Sequence, residues 1–195
     1  MTKTTILAFV NNVLKEAFTD IDTEIIATVN DLSKFNLLTG EDTDQTGSDG
    51  TENLVHSTDF KKLTSITPND GSFDLEPLRA VPGGFKEYRR WMQSFNAGLR
   101  GSPTHYVDYE KKFFLYPTLN GAYTFVIKFY KFHAQSADAI EFGDDFVNAI
   151  NYGAAYHAAL FRKKTSYINI WRPIYHEERR LMILMNPPQP SFVGA

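Results

Sequence analysis

The stretch Pro103 to Phe132, PTHYVDYEKKFFLYPTLNGAYTFVIKFYKF, decides how this chain is read. It holds two short aromatic runs, Tyr106 to Tyr109 and Phe113 to Tyr116, then an Asn120-Gly121 pair and a long alternating segment. Runs rich in aromatic and β-branched residues predict strands. Asn-Gly predicts a hairpin turn whose residues take positive φ. In the alternating segment Tyr123, Phe125, Ile127 and Phe129 share one face, and Thr124, Val126, Lys128 and Tyr130 share the other. Because both faces are partly apolar, one is expected to cover helices and the other to meet a neighbour.

Outward from this segment the periodicity changes from two to about 3.6. Residues 4–18 set Ile6, Val10, Val13 and Ala17 on one helical stripe. A second helix follows, with Asp20 or Thr19 as its N-cap and Asp20, Asp22 and Glu24 in the first turn, where the helix dipole favours negative charge. The short link between them predicts an antiparallel pair within residues 1–38. Residues 39–52, TGEDTDQTGSDGTE, carry no large apolar side chain and predict an acidic flexible loop. Residues 53–135 read as a β-rich insertion with a short helix near 84–96, where Tyr88 and Met92 recur at helical spacing.

Residues 143–185 hold two further helices. Gly153, Ala154, Ala155, Ala158 and Ala159 in the first would let another helix approach closely. Pro173 should kink the second or mark its true first turn. The proline-rich residues 186–195 form an extended tail. The fold expected is therefore α+β: a mostly helical bundle of four main helices, with a β-rich insertion in mid-chain, as a single domain over 1–195.

The residue types narrow the function. Aromatics make up 14% of the chain, and such side chains dominate both cores and protein interfaces. A net charge of -3 gives no general reason for nucleic-acid binding. With no Cys there are no disulfides, thiolate metal sites or cysteine nucleophiles. No apolar run approaches the ~20 residues that span a bilayer, so a soluble, non-membrane chain is expected. The five histidines lack zinc-peptidase spacing, and the glycines of 82–84 and 98–101 form no phosphate-binding or dinucleotide motif. His176-Glu177-Glu178 places adjacent side chains on different faces of a helix, which suits a solvated edge better than a site. No catalytic residue, metal site or cofactor is expected.

Charge is unevenly placed. Arg162, Lys163, Lys164, Arg172, Arg179 and Arg180 lie near the end, and Asp20, Asp22 and Glu24 near the start. Either the two sets pair within one molecule, or the acidic edge of one copy meets the basic edge of the next. The second arrangement is heterologous and closes into a ring when the rotation allows. Arg172, Arg179, Arg180, Asp20, Asp22 and Glu24 are accordingly the candidate inter-subunit residues.

The order of elements also resembles a known family, the head-to-tail adaptor (head completion, or connector) proteins of tailed bacteriophages. The likeness rests on Phe73-Asp74-Leu75-Glu76-Pro77 and Gly101-Ser102-Pro103-Thr104-His105-Tyr106. It continues through Phe114-Leu115-Tyr116-Pro117, Asn120-Gly121-Ala122-Tyr123 and Phe129-Tyr130. Two helices follow, the first Ala-rich in its middle, the second bearing Trp171 and Tyr175. The resemblance implies a homo-oligomeric ring of about twelve copies. That ring would dock beneath the portal protein, seal the DNA-filled head, let double-stranded DNA pass without sequence-specific contact, and seat tail or nozzle proteins. It implies a place at the head-tail junction of the virion, after assembly in the host cytoplasm. It also implies that the C-terminal segment engages the portal, through Pro187, Pro188, Phe192 and Val193.

Two other functions fit the same residues less well. A glycan-binding or glycan-hydrolysing virion component could use Asp108 and Glu110, since alternate residues on a strand share a face. A host interaction module would be a stable monomer.

Overall fold

The computed structural model describes residues 1–94 and 98–186. They divide into two compact units: residues 1–38 with those from Lys131 on, and an inserted unit, Thr39–Tyr130.

In the first unit α1 (Lys3–Leu14) is capped by Thr2, whose hydroxyl accepts from the Thr5 N–H at 3.3 Å. Lys15, at φ 54°, ends it. The turn that follows is clasped by Asn11, whose side-chain amide donates to Phe18 O at 3.1 Å and accepts from Phe18 N at 2.7 Å. Then come α2 (Asp22–Ser33), α4 (Val147–Phe161) and α5 (Thr165–Met185). Ile6, Val10 and Leu14 of α1, Ile25, Val29 and Leu32 of α2, Tyr175 and Met182 of α5, and the small face of α4 form one core.

The helices do not make the expected bundle. The close helix pairs are α4 with α5, α2 with α4, and α1 with α4. Helices α1 and α2 are not an intimate antiparallel pair; each turns its apolar stripe onto α4 instead. The reason lies in the Ala- and Gly-lined surface of α4, which admits neighbours on several sides. A Cβ on Gly153 would collide with the Thr28 methyl of α2 and stand 2.8 Å from Tyr175 Cε2 of α5. Pro173 lies inside α5, not in its first turn.

The inserted unit is mainly β. Its strands are β1 (Thr39–Gly47), β2 (Asn53–Val55), β3 (Phe60–Asn69), β4 (Arg79–Ala80), β5 (Arg100–Gly101), β6 (His105–Tyr109), β7 (Lys112–Tyr116), β8 (Thr118–Leu119) and β9 (Tyr123–Lys131). They form sheets of order β1-β9-β3, β2-β7-β6-β4 and β5-β8. Helix α3 (Gly84–Ser94) packs on β6. With five helices and nine strands among the described residues, the protein is a mixed α+β fold and not a mostly helical bundle of four main helices.

Three local expectations change here. Residues 39–47, expected as a flexible loop, are strand β1, antiparallel to β9 from Thr39↔Tyr130 to Gly47↔Tyr123. An edge strand tolerates charged side chains, because its outer edge faces solvent. Asn120-Gly121 is not a hairpin turn: β8 pairs in parallel with β5, and the two-residue positive-φ turn is Glu110-Lys111, between β6 and β7. Finally, Phe125, Ile127 and Phe129 of β9 bury against Leu63, Ile66, Phe113, Leu115 and Leu119 of the same unit. The inward face of β9 thus covers strands, not helices.

The close approach at Gly153 sets an expectation for stability. Gly153→Ala should lower it by roughly 1 kcal/mol, because the clash outweighs the gain in helix propensity. Gly153→Val should cost about 3 kcal/mol or more, read from urea or thermal unfolding.

Candidate assembly surface

Helix α5 carries apolar residues on two sides. Tyr175 and Met182 are buried in the helical core, with Ile168 and Trp171 packed against it. About a third of a turn away lie Ile170 (50% exposed), Ile174 (37%), Leu181 (37%) and Leu184 (61%). At 100° per residue these four fall within one narrow stripe, with Met185 beside it. The sequence reading did not set these residues apart as a second face of the helix. Their signal was present: a helix that repeats apolar residues on a second face has more greasy surface than one core can cover.

The charged residues divide by what they touch. Arg179 belongs to the interior edge of the helical unit. Its Nη1 donates to Asp31 Oδ2 at 2.7 Å, its other terminal nitrogen lies 2.8 Å from His176 Nδ1, and its guanidinium rests 4.8 Å over the Phe35 ring. Tyr175 donates to the same Asp31 oxygen at 2.8 Å. Burial works to raise the Asp31 pKa, but the bonds from Tyr175 and Arg179 together outweigh it and hold the carboxyl below the usual range. The Tyr175 phenol is pushed far up, first by burial and then by the Asp31 charge beside it. This network joins α5 to α2 and is intramolecular.

Arg180 is exposed and bidentate to Glu177 of its own helix, at 2.9 and 2.7 Å. Arg172 is exposed and makes no ion pair among the described residues. On the acidic side, Glu24 is buried at 8% exposure, because it shares the inward face of α2 with Thr28. Asp20 and Asp22 both engage Lys3, the former at 2.9 Å, and this holds the Lys3 ammonium above its usual range. Of the six candidate inter-subunit residues, Arg172, Arg180, Asp20 and Asp22 reach solvent, whereas Arg179 and Glu24 are drawn into the helical unit. Pro187, Pro188, Phe192 and Val193 lie outside the described residues.

The carboxylate pair of the glycan reading is not brought together. Asp108 is on β6, 3.0 Å from His56 Nε2, whereas β6 ends at Tyr109 and Glu110 sits in the following turn. The two therefore lose the shared face that alternation within one strand would give. Among the described residues no cluster of three metal-ligating side chains is present, and no helix is long and apolar enough to cross a membrane.

The model of the SU10 adaptor protein family matches residues 1–179, nearly the whole chain, and the protein belongs to that family. The resemblance to phage head-to-tail adaptors thereby has an independent footing. No curated protein matches the chain.

The Asp31 network yields a pH expectation. A carboxyl held low in the folded state contributes stability that is complete above its unfolded pKa of about 4 and is lost as pH falls through the folded value. Asp31→Asn should flatten that acid limb of the stability curve, and Asp31→Ala should cost about 2 kcal/mol at neutral pH. Both are read from unfolding at stepped pH.

Proposed function

We propose that this phage adaptor protein assembles into a closed ring of about twelve copies beneath the portal, seals the filled head and provides the seat for the tail. The observation that carries the reading is the second apolar face of α5, with the exposed Arg180 at its edge, in a chain that belongs to the adaptor family over residues 1–179. A large apolar stripe on a well-formed helix gains by being covered. In a head-to-tail ring the occupant is a sister copy, and every contact made once is made all the way round. Contacts that are weak singly then hold firmly together.

In this arrangement Arg172 and Arg180 of one copy face Asp20 and Asp22 of the next. The charges steer and orient the approach, while the stripe of α5 supplies area. Arg179 and Glu24 act within the subunit, keeping α5 and α2 in place. The C-terminal residues, with Pro187, Pro188, Phe192 and Val193, bind the portal. A proline-rich sequence has fewer backbone conformations to lose when it is ordered against a partner. Double-stranded DNA passes through the ring without sequence readout, and tail or nozzle proteins dock on its far side.

Particle mass, measured for the protein alone and after mixing with portal rings, tests the assembly directly. A monomer under both conditions ends the ring reading. Arg172→Glu with Arg180→Glu should raise the concentration needed for assembly about tenfold or more. Phe192→Ala with Val193→Ala should weaken portal attachment while leaving the unfolding transition unchanged. Full portal binding by that variant removes the tail as the anchor.

A further inference from the structure

The inserted unit has a charged asymmetry that the helical unit does not explain. Residues 39–52 hold Glu41, Asp42, Asp44, Asp49 and Glu52 and no basic residue. Glu41 and Asp44 are exposed on β1, the free edge of its sheet, and neither makes an ion pair among the described residues. A β-bulge between Asp42 and Gln45 sets Thr43 and Asp44 out of register with β9. The bulge is braced from within: Gln45 Nε2 donates to Asp42 Oδ2 at 3.0 Å and to Val55 O at 2.5 Å. Bulges on an edge strand re-aim side chains and prevent indiscriminate strand addition. Asp44 sits in this bulge, its N–H donating to Asp42 Oδ1 at 3.1 Å.

The opposite charge lies on α3. Its outer face carries Lys86, Arg89 and Arg90 over a shallow groove of about 820 Å³, with Phe85 and Tyr109 in its wall. Those two rings stack at 3.9 Å and 3°, which makes the wall rigid. Arg90 is turned toward Glu87 at 3.7 Å, but Lys86 and Arg89 are exposed and have no ion pair among the described residues. One surface thus presents two exposed carboxylates on a braced edge, Glu41 opposite Lys128 of β9 and Asp44 beside Thr43, and another presents two exposed cations on a braced helix.

We infer that the acidic β1 edge of one copy docks in the basic α3 groove of the next, giving the ring a second subunit contact through its inserted units. The inference rests on the ring reading above but uses none of the residues of the α5 surface. Because β1 and the α3 groove are different patches, the contact is heterologous, which is the kind a ring requires. A sister copy fits better than DNA. Affinity for a duplex grows with the number of phosphates neutralised, and two exposed cations in a groove that also holds Glu87 supply little. Matched against Glu41 and Asp44, the same two cations are paired one for one.

Two variants test it: Lys86→Glu with Arg89→Glu, and Glu41→Lys with Asp44→Lys. Each alone makes both surfaces carry one sign, so each should need at least tenfold more protein to assemble than the native chain, while unfolding normally. Mixed in equal amounts they restore opposite signs at every contact, and assembly should recover to near the native level as alternating rings. Native-like assembly of either variant alone, or no recovery on mixing, overturns the inference while the ring stands. A native chain that is monomeric with and without portal overturns both. Loss of fluorescent duplex binding by the Lys86→Glu, Arg89→Glu variant, with assembly unchanged, would instead give the groove to DNA.

Discussion

The seating of α2 and α5 on α4 at Gly153 is the constraint on which the helical unit depends. A hydrogen atom in place of a methyl group lets Thr28 and Tyr175 occupy the same small surface of α4. Once Tyr175 is there, its hydroxyl reaches Asp31 on α2, and Arg179 one turn later reaches the same carboxylate. Packing brings the polar groups together, and the polar groups then fix the rotation of α5 about its axis. That rotation decides which residues of α5 are covered and which are left outside. The apolar stripe from Ile170 to Leu184 is exposed because the Tyr175 side is committed inward.

The electrostatics follow the same division of labour. Charges near a core are consumed by it: Asp31 with Arg179, Lys131 with Glu141 at 3.3 Å. What remains for partners is a smaller set than a count of charged residues suggests. An exposed ion pair adds little to stability in water, so the charges left at the surface are not what holds the fold together.

Helical stripes in the first unit were plain in the sequence, because burial at a period of 3.6 leaves a dense apolar record. The small face of α4 was equally legible, since runs of Gly and Ala in a helix have one obvious structural use. What was not legible is how many neighbours share that face, and so the hub around α4 was mistaken for a bundle. β1 was missed for a different reason. An edge strand held by backbone bonds to β9 needs no apolar side chains of its own, and TGEDTDQTG gives no periodic signal at all. Asn120-Gly121 misled because turn chemistry is permissive: it allows a hairpin, but strand pairing decides where one forms, and Glu110-Lys111 accepted the strain instead. Charge clustering alone marked out Arg172, Arg180, Asp20 and Asp22, which the structure leaves in reach of solvent. Arg179 and Glu24 could not be separated from them, because the difference lies in helix rotation.

The route of the chain has a consequence for its synthesis. It leaves the helical unit after Leu38 and returns at Lys131, where the Lys131 N–H donates to Leu38 O at 3.0 Å, so exit and return points are neighbours. Helices α1 and α2 emerge from the ribosome first, yet the surface that shelters them is α4, translated only after the whole insertion. At roughly 5–20 residues per second their greasy stripes wait several seconds without a partner. The insertion, being contiguous, can complete its own fold during that interval and bring the severed halves of the helical unit to adjacent ends. The late-arriving α4 then meets two waiting helices already tethered close by, and closes a short loop in place of a long one.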